Sequence, residues 1–166
     1  IVATLANVQK VEADIALSAI GMRPRIGLAR QSGIAVNRGI TVNRHLETSA
    51  PDVYAFGDCA EVEGHVLYYV PPLMACARAL AKTLHGDRTA VVYGPMPVGV
   101  KVTVCPIQVS PPARGATGEW HEEVVEGDSV RALFQDPEGK LLGFALTGKC
   151  AEEKMKLAKE LPAILE

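Results

Sequence analysis

Asp58 stands after Gly57 at the end of Thr48-Ser49-Ala50-Pro51-Asp52-Val53-Tyr54-Ala55-Phe56-Gly57-Asp58. The β-branched and aromatic residues of 53–56 predict a strand covered on both faces. Gly57 permits a sharp bend beside a ligand. A carboxylate delivered at the carboxyl end of such a strand lies where open parallel sheets bind nucleotides. Burying it is costly unless hydroxyls or N–H donors face it, and a polyol chain would satisfy it. Capping a short helical turn accounts for an aspartate beside a glycine equally well. Asp58, Cys59 and His65 are close in sequence, but no nucleophile elbow surrounds them, which ranks a hydrolase last. Cys59, Cys76, Cys105 and Cys150 show no CxxC pair and no histidine at zinc spacing, so no metal site is expected and the thiols read as reduced packing residues. His45, His65, His85 and His121 read as surface or packing histidines, and Trp120 as a core or interface residue. Lys101 interrupts the apolar run 98–104; alternation on an edge strand accounts for it without chemistry.

The elements that must position Asp58 follow from the same patterns. Residues 4–5 and 11–13 predict the arms of a hairpin, 15–20 a buried strand, and 21–25 a crossover linker. Residues 34–36 and 40–42 bracket Asn37-Arg38-Gly39, which predicts a second hairpin with a positive φ at Gly39. Pro71-Pro72 opens a helix over 73–85, with Leu73, Ala77, Leu80, Ala81 and Leu84 as its apolar stripe and Gly86 beyond its end. After the joint Tyr93-Gly94-Pro95-Met96-Pro97, strands are expected at 98–104, 107–110, 120–125, 130–135 and 141–147, the last two joined by Asp136-Pro137-Glu138-Gly139. A terminal amphipathic helix over 151–161 places Met155, Leu157, Ala158 and Leu161 on one side, and Pro162 ends it.

Composition bounds the possibilities. The 166 residues are 48% hydrophobic and 22% charged with a net charge of −2, an ordinary globular balance without the basic excess that nucleic acid or an anionic membrane surface would select. No run approaches the roughly 18 apolar residues of a membrane span, and no signal peptide opens the chain, which predicts a cytoplasmic protein. Ile1 is not methionine and Ile1-Val2-Ala3-Thr4-Leu5 begins inside a strand pattern, so the sequence reads as a piece of a longer polypeptide.

The threonine followed at a fixed gap by Tyr54-Ala55-Phe56-Gly57-Asp58 resembles the second flavin motif of FAD-dependent pyridine-nucleotide oxidoreductases, in which the aspartate bonds the ribityl chain. Leu17-Ser18-Ala19-Ile20-Gly21-Met22-Arg23-Pro24 resembles the strand and glycine turn that close the family's NAD(P)H domain. Pro72-Leu73-Met74-Ala75-Cys76-Ala77-Arg78-Ala79-Leu80 and Tyr93-Gly94-Pro95-Met96-Pro97-Val98 narrow the likeness to the carboxyl-terminal half of rubredoxin reductases. The resemblance implies an α/β fold: residues 1–23 end an NAD(P)H-binding domain, 24–95 form the second segment of an FAD-binding domain, and 96–166 form a small antiparallel sheet with a helix, the interface or acceptor domain. It also implies electron transfer from NADH through FAD to rubredoxin. Gly57, Asp58, Val70, Leu73, Met74 and Lys101 fall at FAD-facing positions, Ile20 and Gly21 near the NAD/FAD junction, and Lys101 is the candidate for a catalytic role. A helix opening near Leu73 would offer its positive dipole end to the flavin. Rubredoxins are acidic as a class, which implies a positive docking patch. Asn43 departs from the acid that many relatives carry, and no GxGxxG spacing occurs, so both diphosphate sites are expected in an absent amino-terminal half and the chain alone is expected to retain neither FAD nor NAD(P)H and to be inactive. The competing readings are a non-catalytic interface module, for which a large exposed apolar face is expected, and a flavin reductase serving another iron–sulfur or rubredoxin-like acceptor. An Asp58 side chain pointing into bulk water, or a proline-led helix aimed away from it, would overturn the flavoenzyme reading.

Overall fold

The computed structural model describes residues 1–100 and 102–166; Lys101 lies outside the described residues. The chain is a mixed α/β structure in which two hydrophobic cores are joined by short connections.

Strands β1 (Val2–Thr4) and β2 (Lys10–Glu12) pair antiparallel, as the sequence predicts, and both are exposed. The buried strand expected over 15–20 does not form. Ile15, Leu17 and Ile20 are 84–89% exposed, and no hydrogen bond among the described residues holds 14–25, because the chain supplies no neighbouring strand to complete a ladder there. A short helix that the sequence pattern did not suggest, α1 (Gly27–Gln31), follows.

The hairpin expected around residues 37–39 shrinks to a single bridge between Val36 and Ile40. The main partner of β3 (Ile40–Val42) is instead β4 (Ala60–Val62), in parallel register with Ile40 opposite Ala60 and Val42 opposite Val62. Gly39 has no positive φ; its use is close approach, since a Cβ there would lie 2.9 Å from the Cys59 carbonyl oxygen and the Glu61 nitrogen. The strand expected over 53–56 is likewise a short return. Tyr54 bridges Glu47, Ala55 N–H donates to the Leu46 carbonyl at 3.1 Å, and Asp52 turns at φ 60°, while Val53 and Phe56 remain 40% and 41% exposed. With a single bridge as its ladder, the segment is a short edge return and not a strand inside a sheet.

Helix α2 (Val70–Leu84) opens at the two prolines. Its buried stripe is Pro72, Cys76 and Ala79, not the leucine stripe expected; Leu84 is 68% exposed. Small side chains let the helix lie close over Ala60, Val62 and Val42, forming the first core with Leu46, Val91 and Tyr93.

The remaining strands form one antiparallel sheet in the order β5 (Val98–Val100), β6 (Ile107–Ser110), β9 (Leu141–Thr147), β8 (Ser129–Gln135), β7 (Glu119–Glu126). Four of the five strands lie where the sequence places them; β5 is described only to Val100, short of the 98–104 run. Trp120 packs edge-on against Phe134 with ring centres 5.3 Å apart. A 3-10 segment (Gly148–Glu153) and α3 (Lys154–Ala158) cover one face and build the second core from Leu141, Phe144, Leu146, Cys150, Leu157 and Leu161. The terminal helix is thus shorter than expected, and Met155 points outward, 68% exposed. Among the described residues no helix is long and apolar enough to cross a membrane.

Candidate functional site

Gly57 begins a 3-10 turn, Gly57–Cys59, at φ 80°, a conformation that favours glycine. A Cβ on Gly57 would meet Leu73 Cδ1 at 3.0 Å. The turn therefore lies against the first turn of α2. That helix has no side-chain cap, and prolines at positions 71 and 72 withhold two N–H groups, leaving Val70 and Leu73 as main-chain donors of its opening turn. Near this meeting point in sequence, Phe56, Val70 and Met74 are 41%, 66% and 42% exposed.

Asp58 itself is exposed and makes no hydrogen bond among the described residues. The exposed carboxylate of Asp58 counts against the flavoenzyme reading at the residue level. Ile20 and Gly21 sit on the extended stretch 14–25, with Gly21 at φ 86° and nothing within 4 Å of a Cβ there; the structure does not bring them to the turn. No triad forms at 58–65: Cys59 Sγ donates weakly to the Phe56 carbonyl at 3.6 Å, and the main chain of His65 bonds Val62. All four cysteines are free, and among the described residues no group of three or more metal-type ligands occurs.

Three groups that the sequence reading left without a role hold this site in place. Glu61, on the face of β4 opposite Ala60 and Val62, is 4% exposed. Its Oε1 accepts from Asn37 Nδ2 at 3.0 Å and its Oε2 from Gly39 N–H at 3.0 Å, with Arg38 Nε 3.9 Å away. Burial pushes its carboxyl up, but the Gly39, Asn37 and Arg38 donors and charge outweigh this and hold it below the ordinary value of 4.5. Asn43 shapes the loop before the motif: its Oδ1 accepts from the main-chain N–H of His45 and Glu47 at 2.9 and 3.1 Å. Behind α2, Tyr93 Oη lies 3.0 Å from Cys76 Sγ, both residues buried, and a crevice bounded by Gly57, Pro72, Leu73, Cys76, His65 and Tyr93 runs from this pair to the turn. Burial first, and then the Cys76 contact, raise the Tyr93 phenol far above its ordinary range, so it stays neutral. In sequence, the loop that Glu61 holds read only as a turn, Asn43 only as a departure from relatives, and Cys76 and Tyr93 only as members of the quoted motifs.

Residues 1–81 match the family model described as pyridine nucleotide-disulphide oxidoreductase, and residues 90–161 match that described as the rubredoxin binding C-terminal domain. The chain is thus similar, over its two parts, to members of these two families. Among individual relatives, it is 56% identical over 99% of its length to rubredoxin-NAD(+) reductase of Alcanivorax borkumensis and 46% identical over 98% to that of Acinetobacter baylyi, and it spans 43% and 41% of those two proteins. The crystal structure of NADH:rubredoxin oxidoreductase from Clostridium acetobutylicum superposes with a TM-score of 0.70 at 26% identity, covering 86% of this chain and 37% of that one.

Proposed function

We propose that this chain forms part of an oxidoreductase that moves electrons from NADH through FAD to rubredoxin, with residues 1–23 closing the NAD(P)H domain, 24–95 completing the FAD domain and 96–166 receiving the acceptor. The observation that carries the reading is the Gly57–Cys59 turn set against the uncapped start of α2. Its support from outside the geometry is the pair of family matches and the curated relatives. FAD, when bound, supplies the conversion of a two-electron hydride into single electrons. The chain's own residues bind and orient. Asp58 accepts hydrogen bonds from the ribityl hydroxyls, and Gly57 keeps the backbone low enough for close approach. Val70 and Leu73 present main-chain N–H groups and the helix dipole to the electron-rich end of the ring. The main chain from Val70 to Met74 would line the flavin. The resemblance adds Lys101 as a residue that would face the flavin and Ile20 and Gly21 as residues that would lie near its junction with NAD(P)H, although Ile20 and Gly21 stand apart from the Gly57 turn in this structure. The location proposed is the cytoplasm.

No glycine-rich diphosphate loop is present in this sequence, so the chain by itself holds neither FAD nor NAD(P)H and is inactive. The exposed apolar residues of 15–22 suit docking against further polypeptide, which an interface module without chemistry would also show. Replacing Asp58 by alanine in the complete enzyme separates the two: flavin retention should fall about tenfold or more, the worth of charge-assisted hydrogen bonds, and unchanged flavin content would overturn the assignment.

A further inference from the structure

The last five residues of the chain tie its two cores together. Leu161 is buried in the core under the five-stranded sheet, while Ile164 and Leu165, only three and four residues later, pack against the core under α2, as does Met96 at the other crossing. The tail does so as a strand fragment: Tyr93 N–H donates to the Leu165 carbonyl at 2.8 Å, and the Tyr93 carbonyl accepts from Ile164 N–H at 2.7 Å and Leu165 N–H at 3.0 Å. On the opposite side, the segment is fixed by Val91 N–H donating to the Arg44 carbonyl at 2.7 Å. The Tyr93 side chain then reaches Cys76, two turns into α2. Residues 162–166 fall outside both family matches.

Two bodies joined by one short linker swivel about it, and relative motion is the default for modest interfaces. A second attachment removes that freedom. We infer that residues 162–166 are a strap that fixes the acceptor-side sheet relative to α2, with Tyr93 as the positioning residue that passes the seating of the strap to the helix start through Cys76. This rests on the functional reading above for its consequence, which is that transfer to a protein acceptor depends on the strap whereas oxidation of NADH does not.

The test removes residues 164–166, and separately makes Tyr93→Phe, in the complete flavin-loaded enzyme. Hydrogen exchange is the first readout. Truncation should speed exchange of the α2 amides near Cys76 about tenfold, and Tyr93→Phe should do the same while leaving the Leu165 amide protected. Turnover, read on the truncated enzyme alone, is the second: ferricyanide reduction and flavin content stay within about twofold, and rubredoxin reduction falls about tenfold, because misplacing a reacting partner by an ångström is costly. Wild-type exchange in α2 after truncation, or a parallel loss of ferricyanide and rubredoxin turnover, would overturn the strap. A wild-type enzyme that carried no flavin would instead overturn the functional reading, and the exchange data would still decide the strap.

Discussion

Glu61 shows how a buried charge becomes a fastening instead of a liability. With its carboxylate oxygens satisfied by Asn37 and Gly39, it pins the loop before β3 to β4, the strand into which the Gly57 turn leads. Replacement by alanine strands those donors, a loss of about 1–3 kcal/mol measurable as a lower urea midpoint. The pH dependence has a fixed sign. Because the folded carboxyl titrates below 4.5, its stabilisation is fully present above that value and is lost as pH falls through the folded pKa. Urea titrations should therefore show a stability decline on acidification that is shallower in Glu61→Gln. An identical slope in both proteins would contradict the account. Asp58, by contrast, is placed without protein partners, so its contribution should appear in ligand retention and hardly at all in the stability of the chain.

At the scale of elements, β3 and β4 depend on contact distance. Gly39 faces the backbone of 59–61 so closely that even a methyl group collides. Gly39→Ala should cost about 1–3 kcal/mol through overpacking, seen in thermal or chemical unfolding, whereas alanine at exposed Gly64→Ala should act only through its left-handed φ of 81°. Helix α2 follows the same logic. Its buried face consists of Pro72, Cys76 and Ala79 because a parallel pair of strands lies directly beneath it, and the leucines that hydropathy favours are displaced to the flanks. The proline-led start was legible in sequence; which stripe faces inward was not, since two stripes of similar apolarity differ only in bulk.

Over the whole molecule, two cores are held by a linker and a returning tail, and a long apolar stretch near the beginning is left uncovered. The competing interface reading expected such a face, and it accommodates the oxidoreductase reading as well, because the chain spans under half the length of its curated relatives. Purified as it stands, the chain should show no stoichiometric flavin absorbance after incubation with FAD. A one-to-one flavin spectrum would contradict the dependence on a diphosphate loop located elsewhere. The positive patch expected for an acidic acceptor is only partly open: Arg131 is engaged by Glu123 and Glu153 and Lys149 by Glu126, while Lys156 and Lys159 on and after α3 are exposed.

Local pattern alone determined the first hairpin, the helix after Pro71-Pro72, four strands of the antiparallel sheet and the motif that led to the family, because periodicity, prolines and glycine turns act over a few residues. Tertiary structure decided the rest. Residues 15–20 and 53–56 have the composition of buried strands, yet a strand exists only where a neighbour accepts its hydrogen bonds, and β4 won that partnership with β3. The clasp at Glu61, the Tyr93–Cys76 pair and the tail across both cores join residues 17 to 72 positions apart, a separation over which one-dimensional pattern carries no information.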